Sequence, residues 1–351
     1  MGSSTVEKKI EATVVLWRVL LFALRLGGFF IGTILVIGLV LAFLFKVYPW
    51  TVGYVIFMNH IHFPPFRNYS DFESHGLHGQ NLYLTSGDNR LGVWKLQPQL
   101  HSSDPTTTPV VLYIHGAQGS RAAYHRVQMY RILLEMGSPV VTFDYRGYGD
   151  STGIPTSELD LFKDAMVVYR WTRAQFSDRP IFIWGHSLGT GVSARLVETV
   201  EISGGGQGVI DGLILDSPYS SMFDVMRLSP LLHLFHEVPH FTQLLLAALE
   251  EADVTLNSSD RIRSTRTPLL ILHAEDDWVI PVKLGRKIFE VAQRRSELFP
   301  GVVSEYVEYS SRLKYGHRGI YRDPLLPGRV LNFAAKAAEW RRANAAGAAG
   351  G

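Results

Sequence analysis

No cysteine occurs anywhere in the 351 residues. That removes disulfides, thiolate nucleophiles and cysteine-based zinc sites, and it leaves the redox compartment open. Charge of one sign is scarce too: the formal net charge is only +2, with no dense basic run. A protein that neutralises phosphates along a nucleic acid needs such a footprint, so no nucleic acid partner is expected. At about 150 residues per domain the length suits two domains, but α/β folds often run to roughly 250 residues as one. The reading is one large domain behind a short membrane segment.

One stretch lacks charge altogether. Leu26 to Phe45 is an apolar run rich in Leu, Ile, Val, Phe and Gly, closed by Lys46. About 20 residues rising 1.5 Å each span roughly 30 Å, the thickness of a bilayer's hydrocarbon core. Arg25 precedes the run, and Trp17, Tyr48 and Trp50 stand where interfacial aromatics belong. A cleaved signal peptide would have a shorter apolar stretch and a small-residue cleavage site. Here Phe45 is followed by Lys46-Val47-Tyr48-Pro49-Trp50. A retained transmembrane helix over 26–45 is therefore expected, after an N-terminal segment of residues 1–25. Lys8, Lys9, Arg18 and Arg25 precede the span, whereas Lys46 and Arg67 follow it. The positive-inside rule then puts residues 1–25 in the cytosol and the rest across the membrane. Two glycosylation sequons, Asn68-Tyr69-Ser70 and Asn257-Ser258-Ser259, fall in that lumenal portion. Gly28 and Gly32 form a GxxxG pair, more often simply small residues of a membrane helix than a dimer face, so the oligomeric state stays open.

Residues 46–105 read as an irregular connector holding short strands near Gln80–Tyr83 and Gly92–Leu96, and Ser102–Pro109 reads as a polar loop. From Val110 the pattern becomes regular. Apolar runs at Val110–Ile114, Val140–Phe143, Ile181–Trp184, Gly212–Leu215 and Leu269–Leu272 alternate with helical patterns at 120–136, 157–175, 188–200 and 283–295. Continuous apolar runs suit strands buried on both faces, and their alternation with helices predicts a parallel sheet covered on both sides. This domain is expected over 106–342. Between Asp216 and Leu269 lie about fifty residues in place of a single helix. They carry apolar stretches at Leu228–Phe235 and Phe241–Leu249. Such an excursion, about 219–260, suits a cap over an apolar site; ordinary helical packing is the blander account. The Ala/Gly tail, 343–351, is expected to be unstructured.

The strongest chemical signal is Gly185-His186-Ser187-Leu188-Gly189, which follows a predicted strand and opens a predicted helix. The glycines permit a sharp strand-to-helix turn that presents the serine hydroxyl at the C-terminal edge of the sheet. Serine needs a base to remove its proton. Where this turn occurs, the chain order is Ser, then an acid, then His. Beyond His273 one histidine remains, His317, in the glycine-flanked segment Tyr315-Gly316-His317-Arg318-Gly319. The acid is ambiguous on spacing alone: Glu275, Asp276 and Asp277 are adjacent after one strand, and Asp216 ends the strand before it. An oxyanion needs two N–H donors. One is Leu188, and the other falls in His115-Gly116-Ala117-Gln118-Gly119, with Ala117 favoured. His115 reads as loop-structuring. Asp144 and Arg146, in the segment Phe143 to Ser151, read more readily as loop organisers than as site residues. His233, His236 and His240 lie at helical spacing with Glu237 between them, but polar cap residues account for them better than a metal does. No metal and no cofactor is expected.

Four segments together carry a resemblance: Tyr113-Ile114-His115-Gly116, Phe143 through Ser151, Trp184 through Gly191, and Leu272-His273-Ala274-Glu275-Asp276-Asp277. They resemble the membrane-anchored α/β-hydrolase-domain lysophosphatidylserine and monoacylglycerol lipases, over most of about 105–330. The resemblance implies an α/β-hydrolase fold. It favours Asp277 as the acid, since the family's acid precedes an x-Val-x-Pro stretch matching Trp278-Val279-Ile280-Pro281. It also matches the family histidine to His317. The implied protein is a lumen-facing, single-pass lipase, in the endoplasmic reticulum, cleaving single-chain lipids through an acyl-enzyme. Other activities on the same residues, an acyl-protein thioesterase or a peptidase, remain alternatives, as does a scaffold that has kept the fold. The chain departs from the family in the 219–260 insertion and in Ser311–Gly316, which leaves lid shape and head-group preference open.

Overall fold

The computed structural model describes residues 3–61, 68–99, 108–203, 209–228, 232–235 and 238–348. Its first element is α1, Ser3–Val47, followed by the short α2, Thr51–Phe57. The hairpin β1 (Gly79–Ser86) and β2 (Asn89–Leu96) comes next, then β3 (Val110–Ile114), α3 (Tyr124–Glu135), β4 (Val140–Phe143), α4 (Glu158–Gln175), β5 (Ile181–His186), α5 (Leu188–Ile202) and β6 (Gly212–Asp216). The 219–260 insertion contributes α6 (Met222–Leu228), α7 (Phe241–Glu251) and α8 (Ser258–Arg263). The chain closes with β7 (Leu269–Ala274), α9 (Val282–Gln293), β8 (Ser304–Tyr309) and α10 (Leu326–Ala348).

The described strands form one 8-stranded sheet in the order β1-β2-β4-β3-β5-β6-β7-β8. The β1–β2 and β2–β4 pairs are antiparallel and the remaining pairs parallel. Successive strand side chains point to opposite faces, and the core divides accordingly. Val110, Leu112 and Ile114 pack with Ile181, Ile183, Leu213 and Leu215 against α4, α5 and α9 through Leu161, Val192 and Ile288. Val111, Tyr113, Phe182, Trp184, Ile214 and Leu270 pack on the other face against α3 and α10 through Leu133, Val330 and Phe333. This is the α/β-hydrolase architecture, with the site residues at one sheet edge.

Several expectations change. The described part of 46–105 is more regular than expected: α2 packs into the core, and the two short strands lengthen into β1 and β2, which extend the main sheet through register Val93 to Phe143. The apolar helix does not begin at Leu26. It runs unbroken from Ser3 because Leu, Ala and charged residues propagate a helix readily and Gly27–Gly28 cost only about 1 kcal/mol each. The stretch long and apolar enough to cross a membrane is Trp17–Val47, 31 residues. The tail expected to be unstructured from Ala343 continues α10 to Ala348, in keeping with alanine's position as the best helix former. Residues 102–107 of the expected loop, the side chain of His233, and His236 lie outside the described residues. Among the described residues, no group of three His, Cys, Asp or Glu side chains is arranged to hold a metal ion.

Unlike a free tether, the end of α1 is packed. Ala42 and Phe45 are buried in the core, and the Phe45 ring meets Phe241 of α7 at 6.0 Å. At Gly38 a Cβ would come within 2.6 Å of Val238, so only glycine lets the helix approach that closely. Gly28 and Gly32, by contrast, have open space around them.

Candidate active site

Ser187 sits between the last residue of β5 and the first of α5, at φ 51° and ψ −121°. A non-glycine residue is strained there by roughly 1–3 kcal/mol, so its surroundings must impose the conformation. They do. Ser187 N–H donates to Asp216 O at 3.0 Å, while its carbonyl accepts from Thr190 N–H at 2.8 Å and Thr190 Oγ1 at 2.7 Å. The flanking glycines make room: a Cβ on Gly185 would lie 2.7 Å from Gly189 O, and one on Gly189 would strike the Ile114 carbonyl.

His317 comes to this serine from across the sheet edge. Its Nε2 accepts from Ser187 Oγ at 2.8 Å, and its Nδ1 donates to Asp277 Oδ2 at 2.8 Å. All three side chains are buried, Ser187 at 9%, His317 at 8% and Asp277 at 5% exposure. Asp277 Oδ1 accepts the N–H groups of Val279 and Ile280, each at 2.9 Å, which fixes the carboxylate's direction. Burial opposes its ionisation. The hydrogen bonds from His273 and His317 outweigh burial and hold the carboxyl below the usual range. His186 steadies the far side of the ring's loop by donating Nε2–H to His317 O at 3.0 Å. Burial, then the neighbouring His317, pushes the His186 pKa well down, so it serves as a neutral donor.

The other candidate acids are occupied elsewhere. Asp276 Oδ1 accepts Gly316 N–H at 3.0 Å and Glu275 Oε2 accepts Ser311 N–H at 2.9 Å, so both hold the loop that delivers His317. Asp216 has no contact with His317. Burial, reinforced by the charge of Asp277, pushes its carboxyl up to about 8, which leaves it protonated at neutral pH.

The turn after β3 completes the arrangement. Gln118 N–H donates to Phe57 O at 3.3 Å and Gly119 N–H to Ile61 O at 3.2 Å. Ala117 N–H is not among the groups so engaged. The carbonyls of the turn are collected by one buried side chain, Arg126 of α3. Its Nη1 donates to Ser120 O at 2.7 Å, and its Nη2 to Gly116 O at 3.0 Å, Ala117 O at 3.2 Å and Gln118 O at 2.8 Å. Arg126 thus fixes the path of the turn's backbone from the carbonyl side. Arg121, at the end of the turn, is pinned between Asp144 and Asp150 and lies over the Tyr69 ring at 4.2 Å. Neither arginine was marked by any sequence motif; only the three-dimensional convergence of carbonyls and acids identifies them.

His115 is fully buried, its Nδ1 2.6 Å from Gly116 O and its Nε2 3.3 Å from Asp144 Oδ1. It organises the turn, as its position before the nucleophile suggested. Asp144 pairs with Arg121, and Arg146 pairs with Asp160 and Asp164 at 2.7 Å each, so both organise loops.

Comparisons with known proteins bear on the fold and the family. The alpha/beta hydrolase fold family matches residues 109–252. Over 333 residues the chain is 34% identical to lysophosphatidylserine lipase ABHD12 of Danio rerio, covering 91% of this chain and 84% of that one. To the Xenopus tropicalis protein of the same name it is 37% identical, covering 86% of this chain and 81% of the other. Among solved structures, a Pyrococcus furiosus esterase superposes with a TM-score of 0.57 at 20% identity, over 79% of this chain and 97% of its own, a likeness of fold alone. The chain belongs to the lysophosphatidylserine lipase ABHD12 family of α/β hydrolases.

Proposed function

We propose that this carboxylic ester hydrolase cleaves acyl esters of single-chain lipids, lysophosphatidylserine above all and monoacylglycerol as well, using Ser187 as nucleophile, His317 as base and Asp277 as its orienting acid. The observation that carries the reading is the pair of 2.8 Å hydrogen bonds linking Ser187 Oγ, His317 and Asp277 at a strained strand-to-helix turn. Ser187 attacks the ester carbonyl as His317 takes its proton, and the N–H groups of Leu188 and Ala117 receive the negative charge that develops on the carbonyl oxygen. His317 then protonates the departing alcohol, and water activated by the same ring releases the fatty acid. Asp277, held ionised, keeps the Nδ1 proton in place and balances the imidazolium. The lipid class is supported by the relatives' names and by α1, which keeps the site beside a bilayer. On the same reading, the domain after α1 faces the lumen of the endoplasmic reticulum, with Asn68 exposed for glycosylation.

The test is hydrolysis of lysophosphatidylserine and monoacylglycerol by membranes carrying the wild type, Ser187→Ala or Asp277→Asn. Wild-type turnover is expected, with a loss of roughly 10⁴-fold in Asp277→Asn and at least as much in Ser187→Ala. Labelling of Ser187 by a fluorophosphonate without lipid hydrolysis would keep the nucleophile and point to thioester or peptide substrates. Neither labelling nor hydrolysis would leave a scaffold.

A further inference from the structure

Arg318 directly follows His317, and its exposed side chain reaches over the turn after β3, where Nη2 donates to Gln118 Oε1 at 3.1 Å. Gln118 is thereby held by two guanidinium groups, Arg126 on its carbonyl at 2.8 Å and Arg318 on its side chain. Neither cation has a carboxylate within ion-pair reach among the described residues. The nearby acids are engaged: Asp277 with His317, Asp276 with Gly316 N–H, Asp323 with Arg329. This sets the two apart from Arg121, Arg146, Arg261 and Arg286, each of which closes on a carboxylate. Partial desolvation and the Arg126 charge both act to lower the pKa of Arg318, the sign expected of a cation without a counter-ion. The same loop carries the exposed cations Arg312 and Lys314, with Glu275 and Asp276 bonded to its backbone at Ser311 and Gly316.

We propose that Arg318 is an anion subsite at the rim, placed to bind the phosphate of a single-chain phospholipid whose ester carbonyl lies at Ser187. The proposal rests on the lipid-esterase reading above and ranks its substrates, those with an anionic head group ahead of the neutral ones. In a lysophospholipid the phosphate lies a few bonds from the scissile ester, on the alcohol side that His317 must protonate. Arg318 is the next residue after that histidine and is held at the turn after β3 through Gln118, and its guanidinium fork matches phosphate through two parallel N–H donors. A monoacylglycerol offers only a hydroxyl at that place and gains nothing comparable.

The experiment follows inhibition of p-nitrophenyl butyrate hydrolysis by the full chain in detergent. Decyl phosphate and the neutral decyl glycerol ether serve as inhibitors, against the wild type, Arg318→Gln and Arg318→Lys. The inhibition constant for decyl phosphate is expected to rise roughly tenfold to a hundredfold in Arg318→Gln and less in Arg318→Lys, with that for the ether moving far less. Added salt should raise the wild-type constant for the phosphate and leave the Gln variant nearly flat. In parallel, the ratio of kcat/KM for lysophosphatidylserine over monoacylglycerol is expected to fall by an order of magnitude in Arg318→Gln. Equal inhibition constants in wild type and Arg318→Gln, or an equal rise for both inhibitors, would overturn the subsite. A wild type that cleaves p-nitrophenyl butyrate but neither lipid would defeat the substrate reading instead, and the two inhibitors would still decide whether Arg318 binds an anion.

Discussion

Asp216 and Asp277 lie at the ends of neighbouring strands, yet their surroundings drive them to opposite charge states. Asp277 receives two backbone N–H groups and a histidine, whereas Asp216 is enclosed with Asp277 as its charged neighbour. The Asp216 carboxyl, with a folded pKa of about 8 against an ordinary 3.8, makes stability depend on pH. Between those values the unfolded chain has released the proton and the folded chain has not, so raising the pH favours unfolding. Asp216→Asn keeps the neutral form's shape and removes this slope. It is expected to raise the melting temperature by a few degrees at pH 7.5, with the gain shrinking toward pH 5, and to cost less than tenfold in turnover. Melting curves of both proteins across pH 5–8 check this; parallel curves would show that Asp216 is not buried neutral. Arg126 makes a second residue-scale case. Arg126→Met would remove the shared donor from four carbonyls of the turn proposed to hold the oxyanion, leaving Gly116 O to His115 and Ser120 O to Ala123 N–H. It is expected to lower kcat by roughly 10²–10³ with little change in KM, since the donors act on the transition state. Partial recovery of Arg126→Gly by added methylguanidinium would separate positioning from general packing, and a stable Arg126→Met enzyme with full turnover would reduce the side chain to a packing role.

At the scale of elements, what could be read in advance followed the strength of the local pattern. Strands buried on both faces announce themselves, and β3 and β4 fall on the residues their apolar runs marked. The turn at Ser187 was equally legible, because Gly185 and Gly189 are needed by local sterics that any chain making this turn must meet. The hairpin was read only in fragments: β1 exposes one side, and its half-buried Leu82 and Leu84 are separated by polar positions or by Tyr83. The punctuation was present, though, in Gly87-Asp88, where Gly87 takes φ +59° in a two-residue loop. The acid was a different kind of problem. Glu275, Asp276 and Asp277 are consecutive, and what separates them is the approach of the 311–317 loop, whose backbone N–H groups take the first two while His317 takes the third. Long-range pairings of that sort leave no spacing in the sequence. Nothing in the sequence sets Arg126 apart for the same reason: the carbonyls it gathers belong to the turn after β3.

For the molecule as a whole, the consequence is that the anchor and the site share one core. Phe57, ten residues past the end of α1, gives its carbonyl to both Gln118 N–H and Tyr148 Oη–H, while Phe45 within α1 packs on α7. The end of the apolar helix is thus part of the catalytic domain's packing, through Phe45 on α7, and the α2 segment just beyond it supports the turn after β3 through the Phe57 carbonyl. Glycosylation reports on which side of the membrane the domain after Val47 lies. Asn68 is exposed, and its Oδ1 accepts Ser70 N–H at 3.0 Å. Asn257 instead caps α8: its Oδ1 accepts Asp260 N–H at 3.3 Å and its Nδ2 donates to Asp260 Oδ2 at 2.6 Å. A glycan there would disturb a cap of about 1 kcal/mol on a half-buried side chain. Expressed in cells with an endomembrane system, the wild type is expected to gain mobility on endoglycosidase H treatment, Asn257→Gln to behave like it, and Asn68→Gln to show no shift. A shift that persists in Asn68→Gln would put the glycan on Asn257 and require the α8 cap to form without that side chain. No shift in any of them, with both sequons accessible to a protease added from the cytosolic side, would reverse the orientation and place the esterase site on the cytosolic leaflet.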